Sequence, residues 1–440
     1  MNLRKRIISV SAAVLCCMSM SNAVLAAETV STTDRCTAQS ITVSESTASA
    51  KAVSYRKKAS KGTASRNVMI SGYNGTNYST PINSYLYEWK DKLYRLENTG
   101  GKIILEKYNS DFKYLGKGEI KSELPIFGGF YAGKDYNFII FGDYNKSDSR
   151  DKEILRVVKY TKGMKRVASK SFYGCNTYIP FDAGCPRMDE YNGVLYIHAC
   201  HEMFKSSDGY HHQANMDFHL NIADMKPVFT SYGVSYAGTG YMSHSFNQFI
   251  KVNKNGIYTV DHGDAYNRAI TAFRRPSVKS EYADYEDVFK IRGSIGDNYT
   301  GVAVGGMEVN DDTMLISGAS VPQDKSYGTT SQQNLFVITV PLSGSGKTSV
   351  NYLTNYKKSD NVTFSEPKLV KKSNNSFLLL WTQTKDNKTK LYTCELDGKG
   401  NKVGKTRVYD GKLSDCQPIV FNGKVTFYVT ENGAPVFYYL

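Results

Sequence analysis

The chain is 440 residues long, 41% apolar and 22% charged, with 55 Lys and Arg against 41 Asp and Glu for a formal charge of +14. No run of about 18 unbroken apolar residues occurs, which excludes a membrane-spanning helix. The lysines are spread through the chain rather than gathered in a run, which argues against nucleic acid as a partner.

Residues 1–27 have the pattern of a secretory signal peptide: basic Arg4, Lys5 and Arg6, an apolar run from Ile7 to Met20, and the small-residue region Val24-Leu25-Ala26-Ala27. An exported protein follows, extracellular or associated with the cell wall. Losing Arg4, Lys5 and Arg6 takes the formal charge from +14 to +11. That balance suits an anionic partner, such as an acidic polysaccharide, a cell-wall polymer or a membrane surface. It suits equally well a chain whose lysines only keep it in solution. Residues 28–66 are rich in Ser, Thr, Ala and Lys and poor in large apolar groups, the composition of a disordered spacer.

From residue 67 to 440 the texture is uniform. Apolar or aromatic runs of five to seven residues alternate with turns of Asn, Gly, Asp and Lys, without helical periodicity. Runs such as Tyr136 to Phe141, Val194 to His198, Ile257 to Val260, Phe377 to Trp381 and Val425 to Val429 each follow a turn signal. Asn192-Gly193, Asn255-Gly256 and Asn422-Gly423 are the strongest of these, because Asn-Gly favours the tight hairpin turn. The unit recurs seven times, at the spacing of four-stranded propeller blades. The expected fold is all-β: a seven-bladed β-propeller with blades near 80–124, 126–173, 182–232, 243–292, 300–356, 362–411 and 414–440, with six or eight blades as the competing counts. The last unit is short, and residues 67–73, opening with Asn67-Val68-Met69-Ile70, are expected to complete it by pairing the two ends of the domain. In this pattern the domain resembles secreted bacterial β-propeller repeat proteins, without a kelch, WD or Asp-box signature.

All seven histidines lie in one window: His198, His201, His211, His212, His219, His244 and His262. In a propeller the start of the first strand, the end of the second and the loop after it share one mouth of the channel. That geometry gathers His198, His201, His211, His212 and Gln213 from the third blade with His244, Asn247, Asp261, His262 and Asp264 from the fourth, at the kind of concave place that ligands favour. The polymer-binding set is then His198, His201, His211, Gln213, His244, Asn247, Asp261 and Asp264. A divalent metal is a second reading, with His198, His211 and His262 as ligands. Catalysis is a third: histidine titrates near working pH and could abstract a proton beside a carboxylate. His212 and His262 would serve as bases, Arg268 or a bound cation would neutralise the carboxylate, and Tyr210, Tyr241 or Tyr266 would donate to the leaving oxygen. This is similar in kind to propeller-fold polysaccharide lyases, which use His, Tyr and Arg on one face and in some cases a metal. Binding of an extracellular glycan or wall polymer is the leading expectation, a polysaccharide lyase or hydrolase using the same residues the alternative, and a protein–protein scaffold the third.

Six cysteines remain after the signal region, and an even number in an oxidising compartment suggests disulfides. With Asn192-Gly193 as a two-residue turn, Tyr191 faces Val194 and Cys185 faces Cys200, within bonding reach. Cys175–Cys185 is the alternative, Cys394 with Cys416 is a further pair by position, and Cys36 lies in the spacer.

Overall fold

A computed structural model of the chain describes residues 54–62, 67, 82–182, 184–233, 241–277, 283–323 and 332–440. The signal region, Cys36, most of the spacer and residues 68–73 lie outside the described residues.

Seven antiparallel sheets follow one another along the chain. In four of them four strands run outward from the channel in sequence order, as in blade two: Ile126–Ala132, Tyr136–Gly142, Glu153–Thr161 and Arg166–Tyr173; blades three and six have a split inner strand, and blade seven takes its outer strand from the start of the chain. The innermost strands of neighbouring sheets touch, and Ser84–Trp89 of the first meets Ile419–Phe421 of the last, so the sheets form a ring. The chain is a seven-bladed β-propeller. Two of the three Asn-Gly turns act as the sequence implies: Asn192 and Gly193 have φ of 48° and 75°, and Asn422 and Gly423 have 48° and 72°; at the third, Asn253 pairs with Gly256, so Lys254-Asn255 makes the turn and Gly256 opens the strand. Positive φ at both central residues is what a type I′ hairpin turn requires.

Burial follows position in the blade. Second strands such as Tyr136–Gly142 lie between two neighbouring sheets and are buried on both faces. Outer strands such as Tyr114–Lys121 and Lys402–Asp410 are largely exposed and carry lysines, which blunt a free sheet edge.

Three expectations change at this level. The outer strand of blade seven is Arg56–Lys58, antiparallel to Val436–Tyr438. It falls within the segment whose composition suggested a spacer, and Asn67 is instead a tether: its side chain donates to the Tyr428 carbonyl at 2.6 Å and accepts from the Thr430 N–H at 2.6 Å. Second, the inner edge of blade three is split, with Thr177–Pro180 and Arg187–Tyr191 both pairing with Val194–Met203. The register Tyr191 opposite Val194 is as expected, but Cys185 falls in the break. Its N–H donates to Gln248 Oε1 at 3.0 Å, while the Cys200 thiol donates to the Asp182 carbonyl at 2.8 Å. Third, Cys175, Cys185, Cys200, Cys394 and Cys416 are all buried, and none of the disulfides expected among them is formed.

Candidate functional site

The seam between blades three and four is unlike the others. Its apolar cluster is small, Tyr196, Ile250 and Ile257 with Val194 and Val252 against it. A buried polar network takes the remaining space. Val194–Met203 pairs with Gln213–Asn221 along its whole length, so His198 lies mid-strand, opposite Asp217, rather than at a strand end. Its Nδ1 is 2.7 Å from Asp217 Oδ1, and its Nε2 reaches across the seam to Asp261 Oδ2 at 2.9 Å. Arg275 donates to Asp217 Oδ2 at 2.8 Å, Asn215 to Asp261 Oδ2 at 3.2 Å, and Ser245 Oγ to Asp261 Oδ1. Burial disfavours the charged ring, but Asp261 and Asp217 more than offset this and push the His198 pKa up to about 10. Asp217 is held below the usual carboxylate range: burial opposes its charge, and Arg275 and His198 outweigh that. His198 is therefore a fixed imidazolium between two carboxylates, with no free nitrogen.

Three other imidazoles are buried and held neutral. Burial lowers the pKa of His201, His219 and His262 to about 3 each. His201 Nδ1 is 2.7 Å from Thr177 Oγ1, and His262 Nε2 is 3.0 Å from Thr300 Oγ1. His219 packs between Tyr196 and Phe229, each ring centroid 4.8 Å away, and neither of its nitrogens has a hydrogen-bond partner. An unsatisfied buried polar group costs about 1–3 kcal/mol, so His219→Phe is expected to stabilise the fold. The gain should grow in acid. A histidine with a depressed folded pKa loses stability as pH falls below its unfolded value of about 6.5, by about 2 kcal/mol at pH 5 for a folded value near 3. Urea midpoints of both proteins at pH 7.5 and pH 5 check this, and a difference that does not widen at pH 5 would refute the neutral-ring assignment.

These placements correct several expected roles. His198, His201, Asn247, Asp261, His262 and Asp264 are buried and do not line the mouth. Asn247 donates to the Val304 carbonyl at 2.7 Å and ties blade four to blade five. Arg268 is also buried, and its guanidinium is consumed by the backbone carbonyls of Asp264, Arg292, Asp297 and Tyr299 at 2.6 to 3.3 Å. The metal set does not assemble either. His198 is bonded on both nitrogens, His211 Nδ1 is 2.7 Å from the Met203 carbonyl, and His262 bonds Thr300. Among the described residues no three His, Cys, Asp or Glu side chains are arranged to hold a metal ion.

What does converge at the surface is a strip from the 204–212 loop to the turn after Gly256–Gly263. Tyr210 and Tyr266 are 71% and 56% exposed. The His212 ring lies 6.5 Å from Tyr210 and stacks on His244 at 6.0 Å, and its Nε2 is 2.7 Å from Asp208 Oδ2. His244 Nδ1 stands 3.1 Å from the buried Asp264 carboxylate, and the Ser243 N–H donates to the Tyr266 carbonyl at 2.7 Å, which brings that tyrosine alongside. Gln213 donates to Asp182 at 3.0 Å, and His211 stacks on Tyr178 at 3.7 Å. Of the expected site residues, His211, His212, Gln213, His244 and Tyr266 are thus gathered in one accessible place.

A second group went unread in the sequence. Arg187 and Lys368 open the second segments of the split inner strands of blades three and six, opposite His198 and Leu380, and Ser84 opens the inner strand of blade one opposite Glu97. Lys368 donates to the Asp415 carbonyl at 3.1 Å, and the Asp415 carboxylate accepts from Asn83 N–H and Ser84 Oγ at 2.8 Å each. Burial raises the Asp415 pKa to about 6 against those donors and Lys368. Burial likewise raises that of Glu366, opposed by the charges of Lys368 and Arg187. The only trace in the sequence is the proline beside Arg187 and before Lys368, Pro186 and Pro367.

No protein family matches the chain, and no curated protein matches it. Among solved structures it is similar to the polysaccharide lyase Uly1, with a TM-score of 0.47 and 11% identity over 90% of this chain and 94% of that one. An alpha-L-arabinanase of Cellvibrio cellulosa gives 0.35 and 11% over 74% and 94%. A prolyl endopeptidase gives 0.45 and 8% over 81% and 47%. At such identities no residue role passes from those proteins to this chain.

Proposed function

We propose that the chain is an exported binding propeller that holds an extracellular glycan or cell-wall polymer, anionic in keeping with its +11 charge after export, on the rim of blades three and four. The observation that supports this is the exposed strip Tyr210–His212–His244–Tyr266. The exposed Tyr210 ring lies beside two stacked imidazoles, the exposed Tyr266 stands on the turn bonded to Ser243 next to them, and Asp208 and Gln213 are at hand as hydrogen-bonding groups. Flat rings stack on sugar faces, and polar groups at their edges bond hydroxyls. His244 has φ of 50°, in the left-handed region. A non-glycine residue is rarely held there, and such positions cluster at ligand sites.

The test is retention of the full chain on a panel of immobilised acidic and neutral polysaccharides and purified wall polymer. The Tyr210→Ala/Tyr266→Ala double variant is expected to bind at least about tenfold more weakly, at about 1 kcal/mol per lost aromatic anchor. Equal retention of wild type and variant would sink the rim. The lyase reading keeps one supporting observation, the half-exposed His212 held by Asp208 in the arrangement of an oriented base. Under that reading, incubation with a uronate polymer releases unsaturated products that His212→Ala abolishes.

A further inference from the structure

The outer half of the seam between blades five and six is not filled. Blade five closes its sheet with a strand of four residues, Ser349–Tyr352, whereas the outer strand of blade six, Lys402–Asp410, has nine. That longer strand also bulges. Thr393 faces Arg407 and Glu395 faces Val403, so Cys394 alone stands against Gly404, Lys405 and Thr406. Bulges re-aim side chains and are common beside functional sites. The space left is a cavity of about 150 Å³. From blade six, Trp381 and Gln383 on one strand and Tyr392 and Cys394 on the next share a face by alternation and form one wall, with Lys402 and Thr406 from the outer strand. Leu353 to Tyr356, leaving blade five, form the other.

The wall groups differ in what they still offer. Trp381 stacks on Tyr392 at 5.5 Å, and its buried indole N–H has no hydrogen-bond partner. An unpaired buried donor in a folded protein calls for an explanation. Gln383 and the Tyr356 phenol, by contrast, bond each other at 3.2 to 3.3 Å, and Thr354 Oγ1 accepts from the Leu335 N–H at 2.9 Å and donates to Asn334 at 3.0 Å. Burial pushes the Cys394 thiol up to about 12, so it serves as an apolar wall group. Lys402 makes no hydrogen bond or ion pair among the described residues. We propose that this cavity binds a single-ring aromatic acid. A cavity of this size accepts one benzene ring, and the indole and phenol rings of the wall suit an aromatic occupant. The ligand carboxylate answers the charge of Lys402 and takes a charge-assisted bond from the Trp381 N–H. A pyranose of similar size would bring several hydroxyls against Gln383 and Thr354, which are already bonded, and against apolar Leu353 and Cys394, where unpaired hydroxyls are costly.

The probe is benzoate, titrated into the full chain and followed by calorimetry and indole fluorescence, with benzyl alcohol, acetate and glucuronate as comparators. The chain has two tryptophans, so a Trp89→Phe background leaves Trp381 as the reporter in the cavity wall. Benzoate is expected to bind saturably and to change the Trp381 emission. Benzyl alcohol should bind at least about fivefold more weakly, and acetate and glucuronate not measurably. Lys402→Gln, at a partly exposed position on the outer strand, should weaken benzoate about fivefold and leave benzyl alcohol unchanged. Trp381→Phe keeps a ring but loses the donor, and should weaken benzoate at least about tenfold. If that core change unfolds the chain, Lys402→Gln still decides the matter. Absence of benzoate binding, binding that leaves the Trp381 emission unchanged, equal affinity in Lys402→Gln, or glucuronate bound as tightly as benzoate would each overturn the assignment. Every group involved lies in blades five and six, so polymer retention by the rim can fail or hold separately.

Discussion

His198→Ala is expected to lower the stability of the protein by about 3–5 kcal/mol, because it removes one member of a buried charge network and strands the rest. Arg275 and His198 balance Asp217 and Asp261 at the seam of blades three and four. Without the ring, Asp261 faces the seam with only neutral donors, Ser245 and Asn215. The pH dependence identifies the cause. A folded pKa near 10 against about 6.5 unfolded means that the stabilisation is complete below about pH 6.5. It is lost as pH rises through 10, at up to about 1.4 kcal/mol per pH unit. Wild type should therefore weaken from pH 7 to 10 more steeply than the variant. Parallel urea midpoints across that range would show that the ring is neutral and merely packed.

The same device occurs elsewhere without histidine. Arg95, fully buried, bonds Glu97 and reaches Glu106 Oε2 at 2.7 Å, and Tyr428 of blade seven donates to Glu97 at 2.8 Å. A buried ionic knot between blades is thus a structural habit of this ring. The clustering of histidines is in large part the seam of blades three and four solving the same packing problem with imidazole. Only His211, His212 and His244 are left over for a partner.

Starting the chain at Thr63 should cost roughly 3–5 kcal/mol relative to starting it at Ser54, and should promote aggregation. The lost segment supplies the ladder from Arg56–Lys58 to Val436–Tyr438, the Ala59 N–H to the Pro435 carbonyl at 3.0 Å, and the Tyr55 carbonyl that accepts from Tyr439 at 2.9 Å. Each such bond is worth about 0.5–1.5 kcal/mol net. The Tyr55 ring also packs on Tyr409 at 4.9 Å. The Arg56–Glu431 pair at 2.9 Å is about a third exposed and adds little. Removing the strand bares the edge of Ala434–Tyr439, an apolar template for pairing with another molecule. Urea unfolding and light scattering of the two chains are the measurements, and identical midpoints would mean that the strand is dispensable.

The ring was legible because its hairpins are written locally: two-residue Asn-Gly turns between apolar runs set blade spacing and even the register at Tyr191 and Val194. What was hidden follows from burial on both faces. In Val194–Met203 no inside–outside alternation survives to mark the strand, so polar His198 and His201 read as the start of a loop although the ladder continues past them. The outer strand Arg56–Lys58 fails for the opposite reason: one face meets solvent, so three basic residues suffice and no apolar signal is left. Cys185 was misplaced because the break between Pro180 and Arg187 has no counterpart in the other inner strands except that of blade six. Arg187, Lys368 and Asp415 could not be read as related, since they lie in three different repeats and carry no shared motif.

Arg56 lies beside Tyr438, 382 positions away, with its Nη1 3.2 Å from the phenol oxygen. A polypeptide threaded through a narrow passage with its amino end leading would present residue 56 early and residue 438 last. Six sheets could assemble as they emerge, but the seventh must wait, its first component idle beside an unfinished circle. Folding in that order would end in a single late event, and a chain halted anywhere upstream of it would leave an open arc instead of a shorter ring.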